Sequence, residues 1–380
     1  MKPIFYILII FLIQNCSVMI PLKDLPKPDG EFIVGTDIMI LEDINRLEYF
    51  TEDENDFRKV VLQVWYPAIA KNDSIYPYLD YQKIRIPSIA KRLDVSEKII
   101  EHISNVQANS YYKARHINKE FPVIIFSHGL GGNRTQNTAN VESLASNGYI
   151  VYALEHTFDA NITVFNDSTS YPFKSYLPDD VNKEEFYNVR IPQITTRAKD
   201  ISFLIDQITL FKSQGLYLGR ISDISSIGVF GHSFGGGTVA LSSYLDSRID
   251  VCLGLDGWFE PVPQTIINSG INIPFCWIGQ IQKNWTTAPY NEQQLLTFHK
   301  NNKNDSYIIE IEGTKHMDYA DIPYITRVSR LMGLSGKAGK NITLDLNETI
   351  NLFFDNYLKN KATEWLKPIE NNYSIFKKEK

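Results

Sequence analysis

At 380 residues, 43% of them hydrophobic, the chain has the size and composition of one large α/β domain with elaborations. A formal charge of −6, with no basic stripe breaking a mixed-sign surface, argues against a nucleic-acid partner. Neither internal repeats nor a cysteine pattern suited to a metal site is present among the 3 cysteines.

Residues 1–16 read as a targeting segment, with Lys2 as a positive start and an apolar run from Ile4 to Ile13 too short to span a membrane comfortably. The following Leu12-Ile13-Gln14-Asn15-Cys16-Ser17 lacks a small-x-small cleavage site and resembles a loose bacterial lipoprotein box. On that reading Cys16 becomes the lipidated first residue of an exported, membrane-anchored protein, and residues 17–30 form a tether. A plain secretory signal leading to a secreted or periplasmic protein, or a retained anchor, are the alternatives. The other two cysteines, Cys252 and Cys276, sit in apolar runs that suggest buried strands, with free thiols favoured and a disulfide left open.

The catalytic domain is expected over 31–362 and a solvated tail over 363–380. Strand-like runs from Phe32 to Leu41 and from Val60 to Trp65, separated by an acidic turn at 51–56, predict an opening antiparallel pair. Residues 66–118 break that rhythm with Tyr66, Tyr76, Tyr78, Tyr81, Tyr111 and Tyr112 and a helical stretch that Asp94 and Glu97 could cap. This is an insertion that either lines a pocket or packs a peripheral helix. From Phe121 onward strands and helices alternate, with strands at Val123–Phe126, Tyr149–Leu154, Ser226–Phe230, Val251–Leu255, Ile273–Ile278 and Ser306–Ile311. Helices are expected near 136–147, 193–213 and 291–301, followed by a last one carrying Ile350, Phe353, Phe354, Tyr357 and Leu358 on one face. Such alternation predicts a mostly parallel sheet covered by helices. A second insertion, 157–192, is polar and aperiodic and reads as a lid or substrate loop.

Chemistry concentrates at strand ends. Gly231-His232-Ser233-Phe234-Gly235 follows an apolar run and opens onto a helix-compatible segment, which is the sequence pattern of a nucleophile elbow. A serine hydroxyl is a weak nucleophile at neutral pH and needs a base, a group orienting that base, and donors for the developing oxyanion. His316, just past the last strand, suits the base; His299 falls inside a predicted helix. Asp256 ends the strand Val251–Leu255 and suits the orienting acid, with Asp318 as rival and the next strand ending in Gly279-Gln280 without a carboxylate. The N–H groups of Phe234 and of Leu130, in the turn Ser127-His128-Gly129-Leu130-Gly131-Gly132, are the candidate oxyanion donors. His128, His156 and His232 read as loop buttresses. The scheme requires no cofactor and no metal.

These residues resemble the plasma and intracellular type II platelet-activating factor acetylhydrolases. The resemblance rests on Ser-His-Gly-Leu-Gly at 127–131 with Arg134, Leu144-Ala145-Ser146-Asn147-Gly148-Tyr149, Gly-His-Ser-Phe-Gly-Gly at 231–236, Leu255-Asp256-Gly257-Trp258, and His316-Met317-Asp318-Tyr319-Ala320-Asp321. It implies an α/β-hydrolase fold with antiparallel N-terminal strands and inserted lid segments, with Ser233, Asp256 and His316 as triad and Leu130 and Phe234 as oxyanion donors. The implied activity is a serine esterase of the 1-alkyl-2-acetylglycerophosphocholine esterase type, releasing short or truncated sn-2 acyl groups from phospholipids. A general carboxylesterase, polyesterase or dienelactone-hydrolase-like enzyme on soluble esters is the alternative, and a non-catalytic surface lipoprotein a more distant one.

Overall fold

In the strand Phe121–Ser127, Val123 and Ile125 pack into the core on one side of the sheet while Ile124 and Phe126 pack on the other, all completely buried. A strand apolar on both sides needs helices on both sides, and that requirement organises the molecule. The structure is a computed structural model that describes residues 25–377 except 70–73, 167–168, 179–180, 282–284, 286–287, 289, 326–328, 338, 362–363, 368–369 and 371–372. The leader 1–16 with Cys16 lies outside the described residues.

The strands are β1 (Ile33–Leu47), β2 (Phe57–Ala68), β3 (Ile75–Pro77), β4 (Gln107–Tyr112), β5 (Phe121–Ser127), β6 (Ile150–His156), β7 (Ile162–Asn166), β8 (Thr169–Pro172), β9 (Ser222–His232), β10 (Val251–Leu255), β11 (Phe275–Gln280), β12 (Ser306–Ile311) and β13 (Ser374–Lys377). One 11-stranded sheet runs β13-β12-β11-β10-β9-β5-β6-β2-β1-β4-β3, and β7 and β8 form a separate hairpin. Strands β6, β5, β9, β10, β11 and β12 are mutually parallel, and β2 runs antiparallel to both β6 and β1, as the alternation predicts. Because β6 lies on one side of β5 and β9 on the other, the strand order reverses between β5 and β9. Loops diverge at such a point and leave a crevice beyond the strand ends.

Six helices matter for the site: α1 (Gln82–Leu93), α2 (Thr138–Ser146), α3 (Lys183–Ser213), α4 (Phe234–Leu245), α5 (Asn291–Asn301) and α6 (Gly339–Leu358). One face of the sheet is covered by α3, α4 and α5 through Ile194, Ile201, Leu204, Val239 and Phe298. The other is covered by α2 and α6 through Val141, Leu144, Ile350, Phe353 and Phe354. Cys252 and Cys276 belong to opposite faces: Cys276 is in register with Leu253, one step from Cys252, so alternation sends the two side chains apart. Both are free and buried.

Several boundaries differ from the sequence reading. Asp94 does not open a helix with Glu97; it closes α1 at φ 52°, its N–H returning to the carbonyls of Ala90 and Lys91. Aspartate tolerates this left-handed conformation better than most residues. Helix α3 starts at Lys183 rather than near 193, because Asn182 and Glu185 form a reciprocal capping box and Pro192 is carried inside the helix. Among its described residues the second insertion therefore carries the antiparallel pair β7–β8 and the first turns of α3. Residues 25–30 are not a free tether: Leu25 is buried, and Gly30 N–H donates to Ser146 Oγ at 3.1 Å. Within the expected tail, Trp365 is buried and β13 pairs with β12, where it covers that edge of the sheet.

Candidate active site

Strand β9 ends at His232 and α4 begins at Phe234, so Ser233 alone makes the turn, at φ 56° and ψ −121°. Two residues away on each side, only glycine fits. A Cβ on Gly231 would stand 2.3 Å from Gly235 O, and one on Gly235 would stand 2.0 Å from Ser127 O. Those contacts press the elbow against the end of β5. Phe234 is the first residue of α4, so its N–H is one of those a helix leaves unpaired.

One strand further, Asp256 follows β10 with φ 42° and is fully buried. Its Oδ2 lies 2.6 Å from His316 Nδ1 and accepts Gln280 Nε2 at 2.9 Å, while Oδ1 accepts the Gln280 N–H at 3.0 Å and Trp285 Nε1 at 3.3 Å. With the Nδ1 proton directed at Asp256, Nε2 of His316 becomes the basic nitrogen. His316 and Ser233 line one cavity of about 1280 Å³, together with Trp258, Gln280 and Trp285. The rival residues lie elsewhere. Asp318 Oδ2 shapes its own loop by accepting the N–H groups of Lys315 and Gly336, both at 2.8 Å, and His299 Nδ1 lies 2.7 Å from Ser306 Oγ.

The turn expected to supply the second oxyanion donor follows β5. Gly129, Gly131 and Gly132 donate their N–H groups to Gln136 Oε1, Asp159 O and Gly129 O at 2.8, 2.8 and 2.9 Å. Among the described residues no protein acceptor takes the Leu130 N–H. A Cβ on Gly129 would lie 3.3 Å from Ser233 Cβ, which brings the turn against the elbow.

Beneath this turn is a second Ser–His–Asp set. Ser127 Oγ lies 3.0 Å from His156 Nε2, and His156 Nδ1 lies 2.8 Å from Asp200 Oδ2, all three residues fully buried. Burial opposes ionisation of Asp200, yet Arg58 and Arg46 hold its carboxyl well below the usual carboxylate range. Burial, aided by the Arg197 charge, pushes His156 down to about 3 and His128 well below the ordinary histidine value, so both rings are neutral. Arg197 Nη2 donates to Ser127 Oγ at 2.9 Å and to His128 O; His128 Nδ1 lies 2.7 Å from Gly129 O, and its Nε2 accepts the His156 N–H at 3.2 Å. The three histidines expected to buttress loops are all placed to do so. A separate buried quartet, Arg134, Arg85, Asp80 and Glu155, ties the first insertion to the end of β6.

Among the described residues, both insertions reach the turn at 127–132 and neither lines the cavity. Arg92 of α1 donates to Leu130 O at 3.3 Å and stacks over Phe173, 4.4 Å from its ring centre, while Asn161 N–H donates to Gly132 O at 2.8 Å. None of the six tyrosines of the first insertion is among the described residues lining the cavity with Ser233. Sequence reasoning missed Gln136, Arg197, Asp200 and Trp285. For Arg197 and Asp200 a signal existed: they interrupt the apolar stripe of Ile194, Ala198, Ile201 and Leu204 at helical spacing.

A family model described as "Platelet-activating factor acetylhydrolase, isoform II" matches residues 18–372. The dog platelet-activating factor acetylhydrolase is 30% identical over 257 residues, covering 62% of this chain and 56% of the dog protein. The guinea pig (Cavia porcellus) platelet-activating factor acetylhydrolase is 26% identical over 364 residues, covering 88% of this chain and 78% of that protein. The match thus spans little more than half the length of the dog relative. Among solved structures, a ferulic acid esterase from Streptomyces cinnamoneus superposes with a TM-score of 0.77 at 23% identity, covering 94% of this chain and 100% of that one. The parallel sheet, the elbow after β9 and the family match over residues 18–372 lead to one conclusion: this α/β-hydrolase chain belongs to the platelet-activating factor acetylhydrolase isoform II family.

Proposed function

We propose that the protein is a serine esterase that removes short or truncated acyl groups from the sn-2 position of phospholipids. One observation carries the reading: His316, bonded through Nδ1 to Asp256 Oδ2 at 2.6 Å, lines the same cavity as Ser233, which is held at φ 56° on a strand-to-helix turn. In this mechanism His316 Nε2 takes the Ser233 proton as Oγ attacks the ester carbonyl, and the N–H groups of Leu130 and Phe234 receive the oxyanion. Collapse of the tetrahedral intermediate returns the proton to the departing alkoxide, which leaves as the lysophospholipid alcohol. Water, deprotonated by the same imidazole, then releases the acid and restores Ser233. Asp256 keeps the imidazole in the right tautomer and stabilises its cation. The relatives named as platelet-activating factor acetylhydrolases support the choice of substrate.

Export with lipidation at Cys16 belongs to the same proposal and would place the enzyme beside membrane esters. A diacylglyceryl-modified mature N-terminus, seen by mass spectrometry, is the expected result; an unmodified cysteine sinks the anchor alone. The activity is tested with protein lacking residues 1–20, comparing 2-acetyl and 2-palmitoyl phosphatidylcholine and p-nitrophenyl butyrate in the presence of EDTA. Selective cleavage of the 2-acetyl lipid is expected. Cleavage of the nitrophenyl ester alone would move the function to a general carboxylesterase, and no turnover at all would favour a binding protein.

A further inference from the structure

Gln136 touches all three loops of the site. Its Oε1 accepts the Gly129 N–H of the oxyanion turn at 2.8 Å, its Nε2 lies 3.1 Å from His232 Nδ1 on the elbow, and its carbonyl accepts the Asp321 N–H beyond His316 at 2.9 Å. His232 extends the line, with Nε2 3.0 Å from His316 O and its ring 4.6 Å from that of His316.

One assignment of protons satisfies every contact. Gly129 offers an N–H, so the Gln136 oxygen must face it and the amide nitrogen must face His232. His232 Nδ1 is then an acceptor, the ring's single proton sits on Nε2, and that proton is donated to the His316 carbonyl. This needs a neutral ring, and burial, with the His316 charge, holds His232 well below the ordinary histidine value. The amide also acts on the oxyanion turn. Gln136 fixes the N–H of Gly129, while His128 Nδ1 and the Gly132 N–H fix its carbonyl at 2.7 and 2.9 Å. The Gly129–Leu130 peptide is planar and trans, so a fixed carbonyl aims the Leu130 N–H in the opposite direction.

Resting on the esterase reading above, we propose that Gln136 is a positioning residue that holds the oxyanion turn and the histidine loop in mutual register through His232. Neither Gln136 nor His232 is among the described residues that line the cavity with Ser233. They act by keeping the Leu130 N–H and His316 in place, where an error near 1 Å costs on the order of a hundredfold in rate.

The test measures kcat and KM on p-nitrophenyl butyrate, and the rate of Ser233 phosphonylation by a fluorophosphonate, for Gln136→Leu, His232→Phe and the double variant. For Gln136→Leu a loss of about 10- to 100-fold in kcat is expected, with KM within about threefold and phosphonylation slowed by a similar factor. The double variant should be no slower than the slower single variant, because both changes cut one line. A wild-type kcat in Gln136→Leu, a rise in KM alone, or losses that multiply in the double variant would each overturn the proposal. Nitrogen-15 NMR of the wild-type protein gives a readout independent of turnover: His232 should be protonated at Nε2, and protonation at Nδ1 breaks the bridge. If the wild type neither cleaves the ester nor takes the probe, the esterase reading fails while the His232 tautomer still decides the bridge.

Discussion

The molecule contains two Ser–His–Asp sets, and bond lengths hardly tell them apart: 2.8 Å between His156 and Asp200, 2.6 Å between His316 and Asp256. Both acids are fully buried, but the surroundings of the two histidines and the two serines differ. The His316 side chain is 34% exposed on a cavity, whereas His156 and Asp200 are at 0%. Ser127 Oγ is already spent, bonded to both His156 and Arg197, on the last residue of β5; Ser233 stands at φ 56° in that cavity. Asp200 is neutralised by Arg58 and Arg46, while Asp256 is bonded to Gln280, Trp285 and His316. A nucleophile requires access, strain and an uncommitted hydroxyl as well as a hydrogen-bonded base. The buried set has instead the partners of a brace, joined through Arg197 and His128 to the turn that carries Leu130.

The sharpest way to break this contrast is to remove each serine. Ser233→Ala should lower kcat by roughly six orders of magnitude with little change in thermal midpoint. Ser127→Ala should keep kcat within about tenfold and instead lose about 1–3 kcal/mol of stability, because Arg197 and His156 lose a partner. The two acids come next. Asp256→Asn should cost on the order of 10⁴ in kcat by favouring the wrong imidazole tautomer. Asp200→Asn leaves Arg58 buried with only Glu48 as a charged partner, so a loss of about 3–5 kcal/mol by urea denaturation is expected.

A pH titration of stability separates the sets more gently. His128, His156 and His232 have folded pKa values below the unfolded one, so below about pH 6.5 the unfolded chain binds protons that the native state refuses. Stability therefore falls as pH drops from about 6.5, for His156 down to about 3, by at most about 1.4 kcal/mol per pH unit for each ring. Asp200, held low, adds to the loss only once pH falls below its unfolded value near 3.9. Thermal midpoints at pH 7, 6 and 5 should decline progressively, and His156→Gln should flatten the slope; a flat wild-type profile contradicts neutral buried histidines. The smallest effect is expected from Arg92→Ala, which loses one 3.3 Å bond to Leu130 O from an exposed side chain: less than about threefold in kcat.

The exposed set was legible in the sequence and the buried one was not, for a physical reason. Ser233 and Asp256 directly follow strands and His316 lies in the loop after β12, so the strand pattern fixes the end of the sheet at which all three emerge. Asp200 and Arg197 project from the middle of a 31-residue helix whose first turns were themselves misplaced, so nothing local said which strand end they would meet. Gln136 offers even less, since a half-buried amide in a turn has no periodicity to betray it. Edge features failed in the same way. The pairing of Ile309 with Ile375 that makes β13 depends on the sheet already being there, not on the polar composition of the last residues.

The most direct test of the division between the two sets is peptide mapping of the protein after reaction with a fluorophosphonate at neutral pH. A single adduct on the peptide containing Ser233, with Ser127 unmodified and the adduct lost in Ser233→Ala, is the expected result. Modification of Ser127, or no adduct on Ser233 in folded protein, would contradict it.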